Sequence, residues 1–417
     1  MKQDNSTSTN RLRQSSAWRI ALITCLSLAI GATAMAKKGG GKPGGEDPPP
    51  DPEPTPAPIS YVLTWIQSDG DTWSRFHDVD ANGVAVGFFG GFADRYGIVS
   101  FPDRNEVVDL ESVAATHPDY PGGRLLNGYT ISEGLVISGD LQDPTGKIHC
   151  YALQLIDNGP GVAVGVAWFH TFSPDFGGLD GIRAYVVDAS ESGDILIETT
   201  FRTADGSSAT RGDVWRPAEG APSALTVVPS PATRAINRHR DVVAGSRLYP
   251  VLPVVTNLET GQSTELGLYN DSTTTAYDLG DDGTVVGWGR TGSKRRSRTT
   301  ALRFVGGAWE AIDPTGSASQ SVRVNSVGQI LGISGSAVFL FSGDPDFGFR
   351  LVDNLLDPAE NTASDLALWD AADPIDLSTP LDYLRLGDPN GSGFGHICGR
   401  RMIDGVERGF ILTPVAP

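Results

Sequence analysis

Along this chain short apolar runs alternate with polar turns, and few stretches show the apolar spacing of a helix. One turn-and-run unit recurs. It is clearest in DVDANGVAVG, from Asp78 to Gly87. It returns as INRHRDVVAG ending at Gly245, LGDDGTVVG ending at Gly287 and VNSVGQILG ending at Gly332. Weaker copies are ISEGLVISG ending at Gly139, ASESGDILIE ending at Glu198 and GSGFGHICG ending at Gly399. The shared skeleton is a polar turn, a Gly, one polar or small residue and two or three apolar residues, usually closed by another Gly. The first Gly supplies the positive φ of a tight turn, and the short β-branched run reads as a buried strand. The turn-glycine position is held by Gly83, Gly134, Gly193, Arg240, Gly283, Gly328 and Gly395, at separations of 51, 59, 47, 43, 45 and 67 residues. Such a period with strand patterning is the sign of propeller blades. Arg240 breaks the rule, so a turn of another type is expected there.

Each copy is followed by strand, Gly/Asp/Asn turn and strand. The segments are 96–110, 150–166, 213–228, 253–267, 301–312 and 337–356, and each reads as a hairpin. A unit is therefore one buried strand plus a hairpin, at least three antiparallel strands. The seventh copy has only RGFILTP (408–414) after Gly399, while YVLTWI (61–66) stands unassigned before the first copy. An open ring would leave unpaired sheet edges. YVLTWI is thus expected to complete the seventh blade against the C-terminal strands. The predicted fold is all-β: a β-propeller of seven blades of antiparallel strands over residues 59–417, closed by N- and C-terminal strands. Six blades, or an incompletely closed array, are the alternatives.

The first residues read differently. Arg11, Arg13 and Arg19 precede the apolar run from Ile20 to Ala32, and Ala34-Met35-Ala36 follows as a small-x-small site. This predicts a cleaved secretory signal over 1–36, and no later stretch is apolar enough to span a membrane. Cys25 raises a lipoprotein alternative, against which Thr24 and the apolar sequence beyond it count. Residues 37–58, KKGGGKPGGEDPPPDPEPTPAP, have almost nothing apolar to bury and read as a Gly/Pro-rich disordered linker. Cleavage leaves 28 basic and 49 acidic residues, a net charge of −21. Such a surface repels phosphate backbones, so nucleic acid is not an expected partner. Only Cys150 and Cys398 remain, which is no disulfide framework, and both read as buried small apolar side chains.

AINRHRDVVAG, DLGDDGTVVG with ALRF, and RVNSVGQILG with AVFLF resemble the HAF family, probable extracellular repeats of exported bacterial proteins. The terminal RGFILTPVAP looks like the end of such proteins. The likeness covers most of 75–414, with the second, third and seventh units matching poorly, and the chain lacks the Pro-Glu-Pro sorting tail of many relatives. The resemblance implies an exported repeat protein and brings no defined activity with it.

Several stretches invite a chemical reading. Asp78-Val79-Asp80-Ala81-Asn82-Gly83 has calcium-loop spacing, but Phe89 stands where the bidentate Glu of an EF-hand would be. Other copies replace its acids, so it reads as a structural turn, as do the acidic turns 278–283 and 386–391. Arg211-Gly212-Asp213 spells an integrin-type tripeptide but opens a predicted strand. Lys294-Arg295-Arg296-Ser297-Arg298 is the one dense basic run and is expected in an exposed loop, solvated or touching an anionic partner. Residues 357–384 read as an insertion with a short helix around 362–371. No H-E-x-x-H, G-x-S-x-G or P-loop is present, and His77, His117, His149, His170, His239 and His396 are scattered. No catalytic, cofactor-binding or metal-binding residue is identified and no cofactor is implied.

The expected function is that of a non-enzymatic exported protein, extracellular or periplasmic and monomeric, presenting loops to an extracellular protein or glycan. The alternatives are a carbohydrate-active propeller hydrolase or lyase and a structural envelope protein. Ionisable side chains gathered from several blades at one channel mouth would favour the enzyme; an apolar or aromatic loop face would favour binding.

Overall fold

The computed structural model describes residues 59–66, 73–91, 94–175, 178, 180–217, 226–228, 232–245, 252–291, 297–345, 347–356, 384–389, 393–403 and 406–415. The chain divides into Met1–Pro54 and Thr55–Pro417, and every described residue belongs to the second unit. The expected signal, the whole linker 37–58, residues 294–296 of the basic run and the expected helix at 362–371 lie outside the described residues. No helix among the described residues is long and apolar enough to cross a membrane.

The described strands form seven antiparallel sheets, the blades of a β-propeller. In chain order blades 1 to 6 span 74–109, 124–172, 180–228, 232–265, 274–311 and 319–351, and blade 7 combines 384–415 with 60–65. Six blades have four strands. Blade 2 has five because two short strands, Arg124–Leu125 and Thr130–Ser132, both pair with Val136–Gln142. The hairpins expected from the sequence are the outer strands of these blades. The strand that precedes each turn, for example Ser74–Val79 in blade 1, is the innermost one and brings the count to four.

In five blades this inner strand carries an extra residue at the same place. The register shifts between Phe76 and Asp78, Val186 and Asp188, Thr233 and Ala235, Ala276 and Asp278, and Ser321 and Arg323. A bulge of this kind re-aims the side chain that follows it. The turn then closes with the backbone N–H of its fourth residue on the carbonyl of its first, as Gly83 on Asp80 and Gly283 on Gly280.

Two expectations about the turns are corrected. Arg240 does not change the turn type: its φ is 59°, and its N–H closes on the Asn237 carbonyl as Gly83 closes on Asp80. Its side chain holds it there, Nε donating to Asp194 at 2.8 Å and Nη1 to Glu259 at 3.2 Å. Gly395 is not the turn glycine of blade 7; it begins the strand Gly395–Ile403, and Gly393 has the positive φ, 79°.

The ring is closed as predicted. Ser60–Trp65 pairs antiparallel with Val406–Val415, with Tyr61 opposite Pro414, Leu63 opposite Leu412 and Trp65 opposite Phe410. Seven apolar clusters fill the spaces between neighbouring blades, one at each junction. Both faces of the N-terminal strand take part. Tyr61 is fully buried in the cluster between blades 6 and 7, and Ile66 joins Phe76, Val79 and Ile411 between blades 7 and 1. Cys150 and Cys398 are free thiols buried in two different clusters, in line with their reading as small apolar side chains.

Candidate functional site

Where the inner strands run into their turns, all seven blades converge on the propeller axis. Just ahead of each turn stand Asp78, Thr130, Asp188, Ala235, Asp278, Arg323 and Arg385, in blade order. Their turns surround a cavity of about 610 Å³. The bulges aim four of these side chains, Asp78, Asp188, Asp278 and Arg323, at the axis.

Each axial Asp is also a latch between blades. Asp78 Oδ2 accepts the backbone N–H of Ile131 at 2.9 Å, Asp188 Oδ2 that of Ile236 at 2.9 Å, and Asp278 Oδ2 that of Val324 at 2.9 Å. Asp78 and Asp278 also accept from the residue after them, at 3.0 Å each. The second oxygen of Asp188 has no partner among the described residues. Burial pushes the Asp78 carboxyl up to about 6. Burial, reinforced by the neighbouring Asp278 carboxylate, pushes Asp188 up to about 8. Arg323 has its pKa lowered by burial first and then by Arg385 beside it. Its Nη1 donates to the Val322 carbonyl at 3.1 Å, and it makes no ion pair among the described residues. Arg385 Nη1 donates to Leu384 in the same way, at 3.0 Å.

A second tier rims the mouth. Glu133, Glu191, Arg238, Asp281 and Asp388 line it, with Asp80 below them. Among the described residues the two tiers put eight carboxylates and three guanidiniums on the cavity wall, a formal charge of −5, and no aromatic side chain. Glu191, Asp281 and Asp388 come from blades 3, 5 and 7, yet each has an oxygen within 4.8 Å of the others. Such a trio could offer three oxygens to a hard cation. All three already have partners in the fold, Glu191 through the Arg238 guanidinium at 3.7 Å. Asp281 accepts from the backbone N–H of Arg238 at 2.8 Å and pairs with its guanidinium, and Asp388 accepts from Ser326 N–H at 2.6 Å. Burial raises the Asp388 carboxyl, and the charge of Glu133 adds to this.

The acidic turns singled out in the sequence have divided roles. In DVDANG, Asp78 points to the axis, whereas Asp80 Oδ1 accepts from Asn82 N–H at 2.9 Å and Val84 N–H at 2.8 Å, capping its own turn. The two acids do not converge on one ligand. In 278–283, Asp278 is axial, Asp281 is on the rim, and Asp282 Oδ1 accepts from Thr284 N–H at 2.9 Å within its turn. Asp388 brings the third acidic turn to the rim. The Arg211-Gly212-Asp213 tripeptide lies within the strand Ser208–Trp215; Asp213 is fully buried and accepts from Arg211 Nε at 2.8 Å. The described part of the basic run, Ser297-Arg298, leads into the strand Arg298–Val305. No histidine lines the mouth, and His77 is buried, stacked on Tyr129 at 4.7 Å.

The axial residues Asp78, Asp188, Asp278, Arg323 and Arg385 were not identified from the sequence. A signal for the first four exists: each lies five residues before a turn glycine, Gly83, Gly193, Gly283 and Gly328.

No family model matches the chain, and no curated protein matches it. Among solved structures it is similar to TolB from Acinetobacter baumannii, at 10% identity over 76% of each chain with a TM-score of 0.35. It is also similar to a gluconolactonase from Xanthomonas campestris, at 13% identity over 90% of this chain and 99% of that one, TM-score 0.31. A third is the Trypanosoma rangeli sialidase, at 8% identity over 70% of this chain and 54% of that one, TM-score 0.32. Likenesses this distant say nothing about what the present chain binds or does.

Proposed function

We propose that the protein is an exported, non-enzymatic repeat protein of the HAF type whose axial mouth binds a small, polar, positively charged ligand. The observation that carries this reading is the wall of the mouth: eight carboxylates against three guanidiniums around about 610 Å³. Low-dielectric walls lined by one sign of charge concentrate ions of the other sign. A glycan is less suited, because sugars stack on aromatic faces and none lines this cavity among the described residues. Export rests on the N-terminal sequence, and N-terminal sequencing of the mature protein at or close to Ala36 tests it.

Calorimetry with cadaverine, a compact diamine, tests the binding reading, with maltose as the neutral control. Cadaverine should bind and weaken as salt is added, since exposed rim charges are screened. Glu191→Gln should weaken it several-fold, and maltose should not bind. Absence of cadaverine binding to the intact protein overturns the reading.

A second reading is glycoside hydrolysis, favoured by the ionisable side chains that several blades gather at one mouth and by the spacing of three of them. The oxygens of Glu191, Asp281 and Asp388 lie within 4.8 Å of one another, and retaining glycosidases hold their two carboxyls about 5 Å apart. The ties of Asp281 to Arg238 and of Asp388 to Ser326 count against it, because they hold both acids as acceptors. Release of nitrophenol from a panel of nitrophenyl glycosides, abolished by Glu191→Gln, would establish this reading over the first.

A further inference from the structure

The repeats place an acid just ahead of the turn in blades 1, 3 and 5, but an Arg at the same position in blades 6 and 7. The fold does not require these arginines as latches. Blade 6 is tied to blade 7 by Asn325 Nδ2 donating to the Gly387 carbonyl at 3.3 Å and by Ser326 N–H donating to Asp388. Blade 5 is tied to blade 6 by Asp278. Two guanidiniums side by side near the axis repel each other, and burial disfavours the charge of Arg323. Arg323 has five N–H donors, of which one meets the Val322 carbonyl, and no carboxylate lies within ion-pair distance among the described residues. From blade 3, Asp188 offers the same cavity an oxygen with no partner. The mouth thus holds an unengaged cationic fork on one wall and an unengaged carboxylate oxygen on another.

A planar guanidinium fork matches a carboxylate in a bidentate manner, and a carboxylate oxygen accepts from an ammonium. One ligand meets both needs if it carries both groups. The rim acids Glu191, Asp281 and Asp388 lie above and would receive a further positive charge. We infer that the ligand is a small zwitterion of net positive charge, of the basic amino acid class, with its carboxylate on the Arg323–Arg385 side and an ammonium on Asp188. This inference rests on reading the mouth as a cation site and adds the anionic end of the ligand.

Calorimetry on the full chain at pH 7 with L-lysine, L-lysinamide and cadaverine separates the two claims. L-Lysine should bind about tenfold or more tighter than either analogue, as expected for a charge-assisted pair of roughly 1.5–3 kcal/mol. Arg323→Gln should abolish that preference, while cadaverine, no longer repelled by this guanidinium, should bind at least as tightly as to the parent; Arg323→Lys, with charge but no fork, should give an intermediate lysine preference. If cadaverine or lysinamide binds as tightly as lysine, the zwitterion is wrong and the cation site stands. If none of the three binds, both fall. The ligand series on the parent protein decides the matter even if a variant does not fold.

Discussion

The Asp78 carboxylate holds the backbone N–H of Ile131 at 2.9 Å and so joins blade 1 to blade 2. The same bond recurs from blade 3 to 4 and from 5 to 6. Two further junctions work in reverse. From blade 4 to 5, Arg238 N–H donates to Asp281 and Asn237 Nδ2 to the Gly280 carbonyl. From blade 6 to 7, Ser326 N–H and Asn325 Nδ2 do the same with Asp388 and Gly387. At these five junctions odd blades supply the acids and even blades supply the donors. Seven is odd, so blades 7 and 1 meet as two blades of one kind. That junction is closed differently: Arg75 pairs with Glu407 at 2.7 Å, Gly409 N–H donates to Ser74 Oγ at 2.8 Å, and His396 packs under Gly83.

Asp78→Ala leaves the Ile131 N–H without its acceptor in a buried junction. The expected loss is about 1–3 kcal/mol in denaturant unfolding. Asp78→Asn, which keeps an acceptor oxygen, should lose less. Calcium should change the thermal stability of the parent and of the Asp78→Asn/Asp80→Asn double variant alike, because Asp80 faces its own turn and the two acids do not converge on one ion. A calcium-dependent rise in the parent that disappears in the double variant would contradict the separation of these two acids.

The same Asp78 sets a pH dependence. Its folded carboxyl sits at about 6, above the ordinary carboxylate value of about 4. In that interval the folded state binds more protons than the unfolded one, so stability falls as pH rises from about 4 through 6. The stability of the parent relative to Asp78→Asn should decline across this window. A constant difference between the two proteins would show that Asp78 is not pushed up.

Arg240 pairs a left-handed backbone, φ 59°, with two ion pairs. Arg240→Ala loses the ion pairs and keeps the strain; Arg240→Gly loses the same ion pairs and removes it. The Gly variant should therefore be the more stable of the two by about 1 kcal/mol, measured by urea unfolding. A more stable Ala variant would mean that this turn changes its conformation once Arg240 is gone.

Deleting residues 59–66 removes the strand that pairs with Val406–Val415 and takes Tyr61 and Ile66 from two clusters. Buried side chains of this size are worth roughly 1.5–3 kcal/mol each, against the ~5–15 kcal/mol that holds a typical domain together. A large drop in melting temperature is expected. Deleting 37–57, which has almost nothing apolar to bury, should leave the melt unchanged. Two truncations that both melt like the parent would refute the closure.

Much of this architecture was legible because it repeats. The turn glycines, the hairpins and the closing strand YVLTWI follow from spacing and from the cost of an open edge, and the closure register carries them out. The innermost strands were missed because they are short and mixed in polarity: RFHDV carries Arg75, His77 and Asp78 beside its apolar residues, so period-2 patterning is weak there. The site was missed for a related reason. A repeat is recognised by what its copies share, whereas the mouth is built from a position at which they differ: Asp, Thr, Asp, Ala, Asp, Arg and Arg. Only the closed ring brings those seven residues together. Arg240 shows the opposite error, a departure from the Gly rule that the fold absorbs through Asp194.

The central claim is that the axial mouth is a cation site in which Asp188 is an accepting group. Cadaverine keeps both its charges between pH 6 and 8, whereas Asp188, pushed up to about 8, loses much of its proton within that range. Proton and ligand compete for the same oxygen, so affinity should rise by up to about tenfold per pH unit below that point. Calorimetric titration of cadaverine into the parent and into Asp188→Asn at pH 6 and pH 8 measures this directly. The account predicts binding that is about tenfold or more tighter at pH 8 in the parent and nearly independent of pH in Asp188→Asn. An equal rise in both proteins, or no rise in the parent, would contradict it.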